Sequence, residues 1–210
     1  LSFHALSPGQ VGDLLAEETR WLDRVDHNPS AAGLCLWEQS TPAVVVGRSN
    51  VIEREVDVDA CAADHVPIFQ RSSGGGTVVL GPGCLCYALL LPISETHRRL
   101  GVTAVTADIM QHLAASLSRP GQPVSVQGVS DLVIEDRKFS GNAQRWRRTA
   151  LLHHGTVLYD FDLERIGRYL RFPSRVPVYR HERSHRDFVC NLNLSRAEIV
   201  DRLRRTWNAS

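Results

Sequence analysis

Residues 66 to 91 constrain the fold more than any other part of the chain. Three apolar runs, Val66 to Gln70, Thr77 to Leu80 and Cys84 to Leu91, are short and rich in β-branched and aliphatic residues, so they read as strands. Turn chemistry separates them: Arg71-Ser72-Ser73-Gly74-Gly75-Gly76 in the first gap and Gly81-Pro82-Gly83 in the second. A triple glycine lets the backbone approach a ligand closely, and its consecutive N–H groups can form an anion-binding nest. Arg71 supplies a planar fork suited to phosphate or carboxylate. The bland alternative is a flexible hairpin or bulge. The spacing is neither that of a P-loop nor of a dinucleotide fingerprint.

Around this core the pattern alternates irregularly. Helical spacing covers 10–25, with Val11, Leu14, Leu15, Trp21, Leu22 and Val25 recurring and Glu17 and Glu18 among them. Leu34 to Glu38 and Ala43 to Val46 read as strand–turn–strand around Ser40-Thr41-Pro42. Helices are expected over 56–64, 103–118, 161–170 and 199–207, the first of them short and the last basic, and further strands over 124–126, 132–134 and 151–158. Strands and helices without regular βα alternation predict an α+β domain, a mixed or antiparallel sheet with helices packed on it.

Composition narrows the function. Of the 24 basic residues, only Lys138 is a lysine, the rest being arginine, and the net charge is +1. A near-neutral chain has no global drive toward nucleic acid or an anionic membrane, and no apolar run reaches the roughly 20 residues of a spanning helix. The first ten residues carry no secretory pattern, and five scattered cysteines without a CxxC pair read as reduced thiols in a cytoplasmic protein. Arg replaces Lys well on a wetted surface and poorly where a compact, flexible point charge is needed. Lys138 lies in Asp136-Arg137-Lys138-Phe139-Ser140-Gly141-Asn142-Ala143, after Asp131-Leu132-Val133. Asp136-Arg137 reads as a hairpin turn, which would point Lys138 and Ser140 to one face and Phe139 to the other. His153 and His154, adjacent in an apolar strand, face opposite sides, which argues against a shared metal.

These segments, with Leu36-Trp37-Glu38, Gly47-Arg48-Ser49-Asn50 and Asp162-Leu-x-x-Ile-x-x-Tyr-Leu170, resemble the lipoate–protein ligase A family, grouped with biotin protein ligases and octanoyltransferases. The resemblance spans residues 10–195 and rests on several motifs in one register. It implies one biotin/lipoate protein ligase-like catalytic domain over 1–210, with the C-terminal accessory domain absent. It further implies a ligase that uses ATP and Mg²⁺ to convert lipoate or octanoate to an acyl-adenylate. The acyl group then passes to a lysine on an E2 lipoyl domain or a glycine-cleavage H-like protein; some single-domain relatives work with a separate accessory chain. By the same resemblance Lys138 is the essential lysine, touching the acyl carbonyl and the α-phosphate. Arg71 and the backbone of Gly75, Gly76, Thr77, Val78 and Val79 hold phosphates. Asp131, Ser140, Gly141, His154 and Gly155 line the adenylate and acyl tunnel. No metal ligands are assigned.

The chain departs from the family where Leu80-Gly81 stands for His-Asp, Cys84 for Asn and Ser130 for Asn, positions that bear on Mg²⁺ and triphosphate contacts. Two alternatives follow: an ATP-independent acyltransferase with a cysteine nucleophile, or a non-catalytic acyl- or nucleotide-binding relative. Neither usual transferase position carries cysteine, since Gln127-Gly128-Val129 and Phe172-Pro173-Ser174 occupy them; Cys84, Cys86 and Cys190 read as small buried hydrophobes. The basic run Tyr179 to Asp187 and Arg202, Arg204 and Arg205 are either a solvated face or a dock for an acidic acceptor.

Overall fold

A computed structural model describes residues 1–6 and 9–209. In chain order its elements are β1 (Ser2–Ala5), α1 (Val11–His27), β2 (Gly33–Glu38), β3 (Ala43–Val46), α2 (Ile52–Glu55), α3 (Val58–Ala63), β4 (Ile68–Gln70), β5 (Val78–Leu80) and β6 (Cys84–Pro92). Then follow α4 (Glu95–Leu117), β7 (Ser125–Gln127), β8 (Asp131–Ile134), β9 (Arg137–Trp146), β10 (Ala150–Leu158), α5 (Glu164–Tyr169), α6 (His185–Phe188) and α7 (Arg196–Thr206). The strands form a seven-stranded sheet, β1-β2-β6-β10-β9-β8-β7, and a three-stranded sheet, β4-β3-β5. Pairing is antiparallel except for β1 with β2 and β3 with β4. The α+β expectation of a mixed sheet with packed helices holds.

The period of two explains the layers. Along β2 and β6, Cys35, Trp37, Cys84, Cys86 and Ala88 face α1 and the small sheet. Leu34, Leu36, Leu85, Tyr87 and Leu89 face the opposite way, onto α4 and α7. Because β6 is covered on both faces, it reads as one apolar run rather than an alternation. Capping boxes at Ser94 with His97 and at Ser195 with Glu198 start α4 and α7.

Several expectations are corrected. The strands expected on either side of Ser40-Thr41-Pro42 are present as β2 and β3, but they belong to different sheets. The helix expected over 56–64 is α3 and starts two residues later, because Val56 bridges to Leu170; a further short helix, α2, precedes it. Helix α4 begins earlier than expected and kinks at Gly101, whose φ is 78°. The β8–β9 turn falls on Glu135 and Asp136, at φ 50° and 60°, one residue before the expected pair. A bulge pairs Val133 with Lys138 but Leu132 with Ser140. Lys138 and Ser140 therefore do not share a face: the Ser140 hydroxyl meets Asn142, not the lysine. No helix among the described residues is long and apolar enough to cross a membrane.

Candidate active site

A cavity of about 460 Å³ is walled by β3, β5 and the glycine loop on one side and by β9 and β10 on the other. Every site residue expected from the sequence lines it: Arg71, Gly75, Gly76, Thr77, Val78, Val79, Asp131, Lys138, Ser140, Gly141, His154 and Gly155.

The loop is shaped from inside. The Arg71 guanidinium donates through Nε to Ser73 Oγ at 3.1 Å, and through Nη2 to the carbonyls of Gly74 at 2.6 Å and Gly76 at 2.7 Å. Asn50 Nδ2 donates to the Gly75 carbonyl at 3.1 Å, and the Arg48 amide to that of Ser73 at 2.9 Å. The carbonyls are thus drawn into the protein. Among the described residues the amides of Gly74, Gly75, Gly76 and Thr77 donate to no protein acceptor. Successive amides left free in this way make a nest for an anion. Gly75 adopts φ 89°, and its missing Cβ position lies 3.5 Å from Ala143 Cβ, so the loop rests on β9. Burial lowers the Arg71 pKa to about 10, which still leaves it charged at neutral pH.

Lys138 opens β9 on the opposite wall. Its Nζ donates to Asp131 Oδ1 at 2.7 Å, and Tyr179 donates its hydroxyl to Asp131 Oδ2 at 2.8 Å. Burial, then the neighbouring carboxylate charge, hold the Tyr179 phenol well above its ordinary range, so it remains a donor. The lysine stem lies across Gly141: a Cβ there would stand 2.8 Å from Nζ and 2.9 Å from Cε. Gly155 has a different reason, since a side chain would collide with Asn142 Oδ1, which accepts from Tyr87 OH. The lysine's own carbonyl accepts from the Cys190 amide at 2.9 Å, tying β9 to the segment after α6.

Deeper in, His154 joins α1 to the loop. Its Nδ1 lies 2.7 Å from Glu18 Oε2 and its Nε2 lies 2.6 Å from Ser73 Oγ. Glu18 also accepts from Trp37 Nε1 at 3.2 Å. With Nδ1–H donated to the Glu18 carboxylate, Nε2 is placed to accept from the Ser73 hydroxyl, whose oxygen accepts from Arg71 Nε. Every member of this buried chain is satisfied. His153 points the other way, stacked on Tyr87, and burial lowers its pKa to about 3. The expected opposition of the two histidines holds. Glu18, Ser73, Asn142 and Tyr179 escape sequence reasoning. Ser73 and Asn142 do lie within the glycine-loop and Lys138 segments, and Glu18 leaves a trace as a carboxylate on the apolar stripe between Leu14 and Trp21–Leu22.

Among the described residues no group of three or more His, Cys, Asp or Glu is arranged to hold a metal. Cys86 lines the cavity, but burial pushes its thiol well above the ordinary range, away from the thiolate a nucleophile requires. Burial also raises the Cys190 thiol, while Cys84 is fully buried. The basic run is less of a surface than its composition suggests: Arg180 is 3% exposed between the rings of Phe172 and Phe188. Arg183 donates to the carbonyls of Tyr179, Arg180 and Asp136.

Two sheets thus enclose a cavity with the free amides of the glycine loop on one wall and Lys138 on the other. The crystal structure of a lipoate-protein ligase A bound with ATP superposes at a TM-score of 0.83 and 22% identity, covering 99% of this chain and 83% of that one. The bi-partite lipoate protein ligase of Thermoplasma acidophilum, solved in a study with its E2 lipoyl domain, gives 0.81 and 21%, covering 100% and 84%. The chain belongs to the lipoyl protein ligase A/B catalytic domain family, which it matches over residues 12–204. A Mycoplasma pneumoniae protein named "Probable lipoate-protein ligase A" is 29% identical over 170 residues, 79% of this chain and 49% of the relative. The chain spans about half the length of that curated relative.

Proposed function

We propose that residues 1–210 form one catalytic domain of a lipoate–protein ligase, acting on lipoate or octanoate. The carboxylate attacks the α-phosphorus of ATP, pyrophosphate leaves, and an acyl-adenylate remains. A lysine ε-amine of a lipoyl-domain or H-type carrier protein then attacks the acyl carbonyl. AMP departs and the amine's surplus proton passes to water. The observation that carries this reading is the placement of Lys138 Nζ, anchored at 2.7 Å on Asp131, in the same cavity as the free amides of the glycine loop.

Charge builds first on the phosphate and then on the carbonyl oxygen, and a preorganised cation beside their shared oxygens lowers both barriers. Lys138 is that cation, not the acyl acceptor. Asp131 and Tyr179 fix where it stands. Arg71 keeps the loop in the form that presents the amides of Gly75, Gly76 and Thr77 to phosphate, with Val78 and Val79 behind them. Gly141, Ser140, Gly155 and the His154–Glu18 pair shape the tunnel toward Trp37. Mg²⁺ brought in with the nucleotide would supply neutralisation of phosphate charge. The described residues supply no cluster of three or more His, Cys, Asp or Glu to hold it. Both oxygens of Asp131 and of Glu18 are already engaged. We assign the activity to the cytoplasm, with an accessory chain as a further partner.

The test is lipoate-dependent ATP–pyrophosphate exchange. Wild-type protein exchanges label; Lys138→Ala lowers the rate at least 10²-fold, on the order of losing one preorganised donor, and Lys138→Arg restores little. An unaffected Lys138→Ala protein would falsify the role of the lysine.

A further inference from the structure

One wall of the cavity is not accounted for by the motif residues. The segment between α5 and α6 contributes Arg171, Arg175 and Arg180 to the lining. Arg180 is the unusual member. It is 3% exposed, and its guanidinium carbon sits 4.7 Å from the centres of both the Phe172 and Phe188 rings. Nε donates to the Arg183 carbonyl at 3.0 Å, but Nη2 is buried with no hydrogen-bond partner. Nor is any carboxylate within ion-pair distance of it among the described residues; Asp131, which also lines the cavity, is engaged by Lys138 and Tyr179. A buried cation without a counter-charge costs several kcal/mol, and an unmade hydrogen bond adds to that. Among the described residues Arg180 is the unpartnered buried cation that lines the cavity, where a ligand can supply what the protein withholds. Across the cavity, Thr77 Oγ1 at the end of the glycine loop is likewise buried and without a partner.

The ligand chemistry follows. It must be anionic and present oxygen acceptors to a planar fork, and it must reach both the glycine loop and the arginine wall. We propose that Arg180 binds the phosphate chain of the nucleotide, holding the oxygens that leave as pyrophosphate. This rests on the proposed adenylation. The neighbouring backbone fits the role: Tyr179, one residue earlier, anchors Asp131, and Val189, directly after α6, bridges to Lys138. Closing Arg180 on a phosphate therefore also fixes the two groups that position the lysine. The aromatic clamp holds the guanidinium plane by cation–π contact and lowers the entropy lost on binding.

The experiment is calorimetric titration of the full chain with inorganic pyrophosphate and, separately, with lipoate, for wild type and Arg180→Met. Methionine keeps an apolar stem between Phe172 and Phe188 and removes the donors. Pyrophosphate affinity is expected to fall at least tenfold while lipoate affinity changes less than twofold, and in exchange assays the KM for ATP rises more than kcat falls. Equal pyrophosphate binding by folded wild type and variant overturns the proposal. So do absent binding by wild type and parallel losses for pyrophosphate and lipoate. If Arg180→Met does not fold, Arg180→Lys carries the same comparison, because it retains the charge and loses the fork. Wild-type protein that binds pyrophosphate through Arg180 yet shows no lipoate-dependent exchange refutes the adenylation and leaves the phosphate site standing.

Discussion

The sharpest perturbation of the proposed chemistry leaves every charged group in place. In Gly141→Ala the new methyl would stand 2.8 Å from Lys138 Nζ and 2.9 Å from Cε, where ordinary contacts begin at 3.4 Å. The backbone at Gly141 is not in the left-handed region, so alanine itself is unstrained there, and the obstructing atoms are the flexible end of a side chain. The fold therefore yields cheaply by swinging the ammonium aside, and the melting temperature is expected to move by no more than a few degrees. The chemistry has no such freedom. To clear the methyl the cation retreats by roughly 0.5–1 Å, and misplacements of that size cost up to about 10²-fold. A loss of 10- to 100-fold corresponds to about 1.4–2.7 kcal/mol of transition-state stabilisation. The assay is lipoate-dependent ATP–pyrophosphate exchange, with the KM for lipoate followed alongside and folding checked by thermal melting. A folded Gly141→Ala protein exchanging within twofold of wild type would show that the stem's position over Gly141 is irrelevant to the reaction.

Two further expectations come from buried groups. His153 titrates near 3 in the folded chain against 6.5 for a free side chain, so the unfolded state binds the extra proton between these values. Its contribution to stability is complete above pH 6.5 and is lost as the pH falls toward 3, with a slope of up to about 1.4 kcal/mol per pH unit. Denaturant titrations at stepped pH should show that slope flattened in His153→Phe; an unchanged slope would assign the acid sensitivity elsewhere. For the cysteines, Cys190→Ser should leave acyl transfer from lipoate and ATP unchanged. Mass spectrometry of protein incubated with an acyl donor should find no thioester, whereas a trapped thioester on any cysteine would favour the transferase chemistry.

Sequence carried far where a residue's own chemistry is unusual. Three consecutive glycines, a lone lysine and a glycine at 155 each have few reasons to exist, and Gly75, Gly76, Lys138 and Gly155 all line the cavity. It carried less where partners are distant. His154 and Glu18 are 136 residues apart, and no local pattern pairs them. The face of Ser140 was misjudged because strict alternation cannot foresee an inserted residue between Lys138 and Ser140. Arg180 was hidden for another reason: in a run of charged residues composition predicts solvent, and only the flanking rings of Phe172 and Phe188 reveal a buried guanidinium. The division into two sheets was equally invisible, since β2, β3 and β6 have the same apolar character.

The strand order has a consequence for how the protein comes into being. Strand β6 takes its two neighbours from opposite directions along the chain, β2 made before it and β10 completed only at Leu158. During synthesis at about 5–20 residues per second, the fully apolar stretch Cys84 to Leu90 waits several seconds with one edge unpaired. An unpaired apolar edge is the template on which chains join one another. The same distant pairings that build the cavity walls place the nascent chain in that exposed state until β10 emerges.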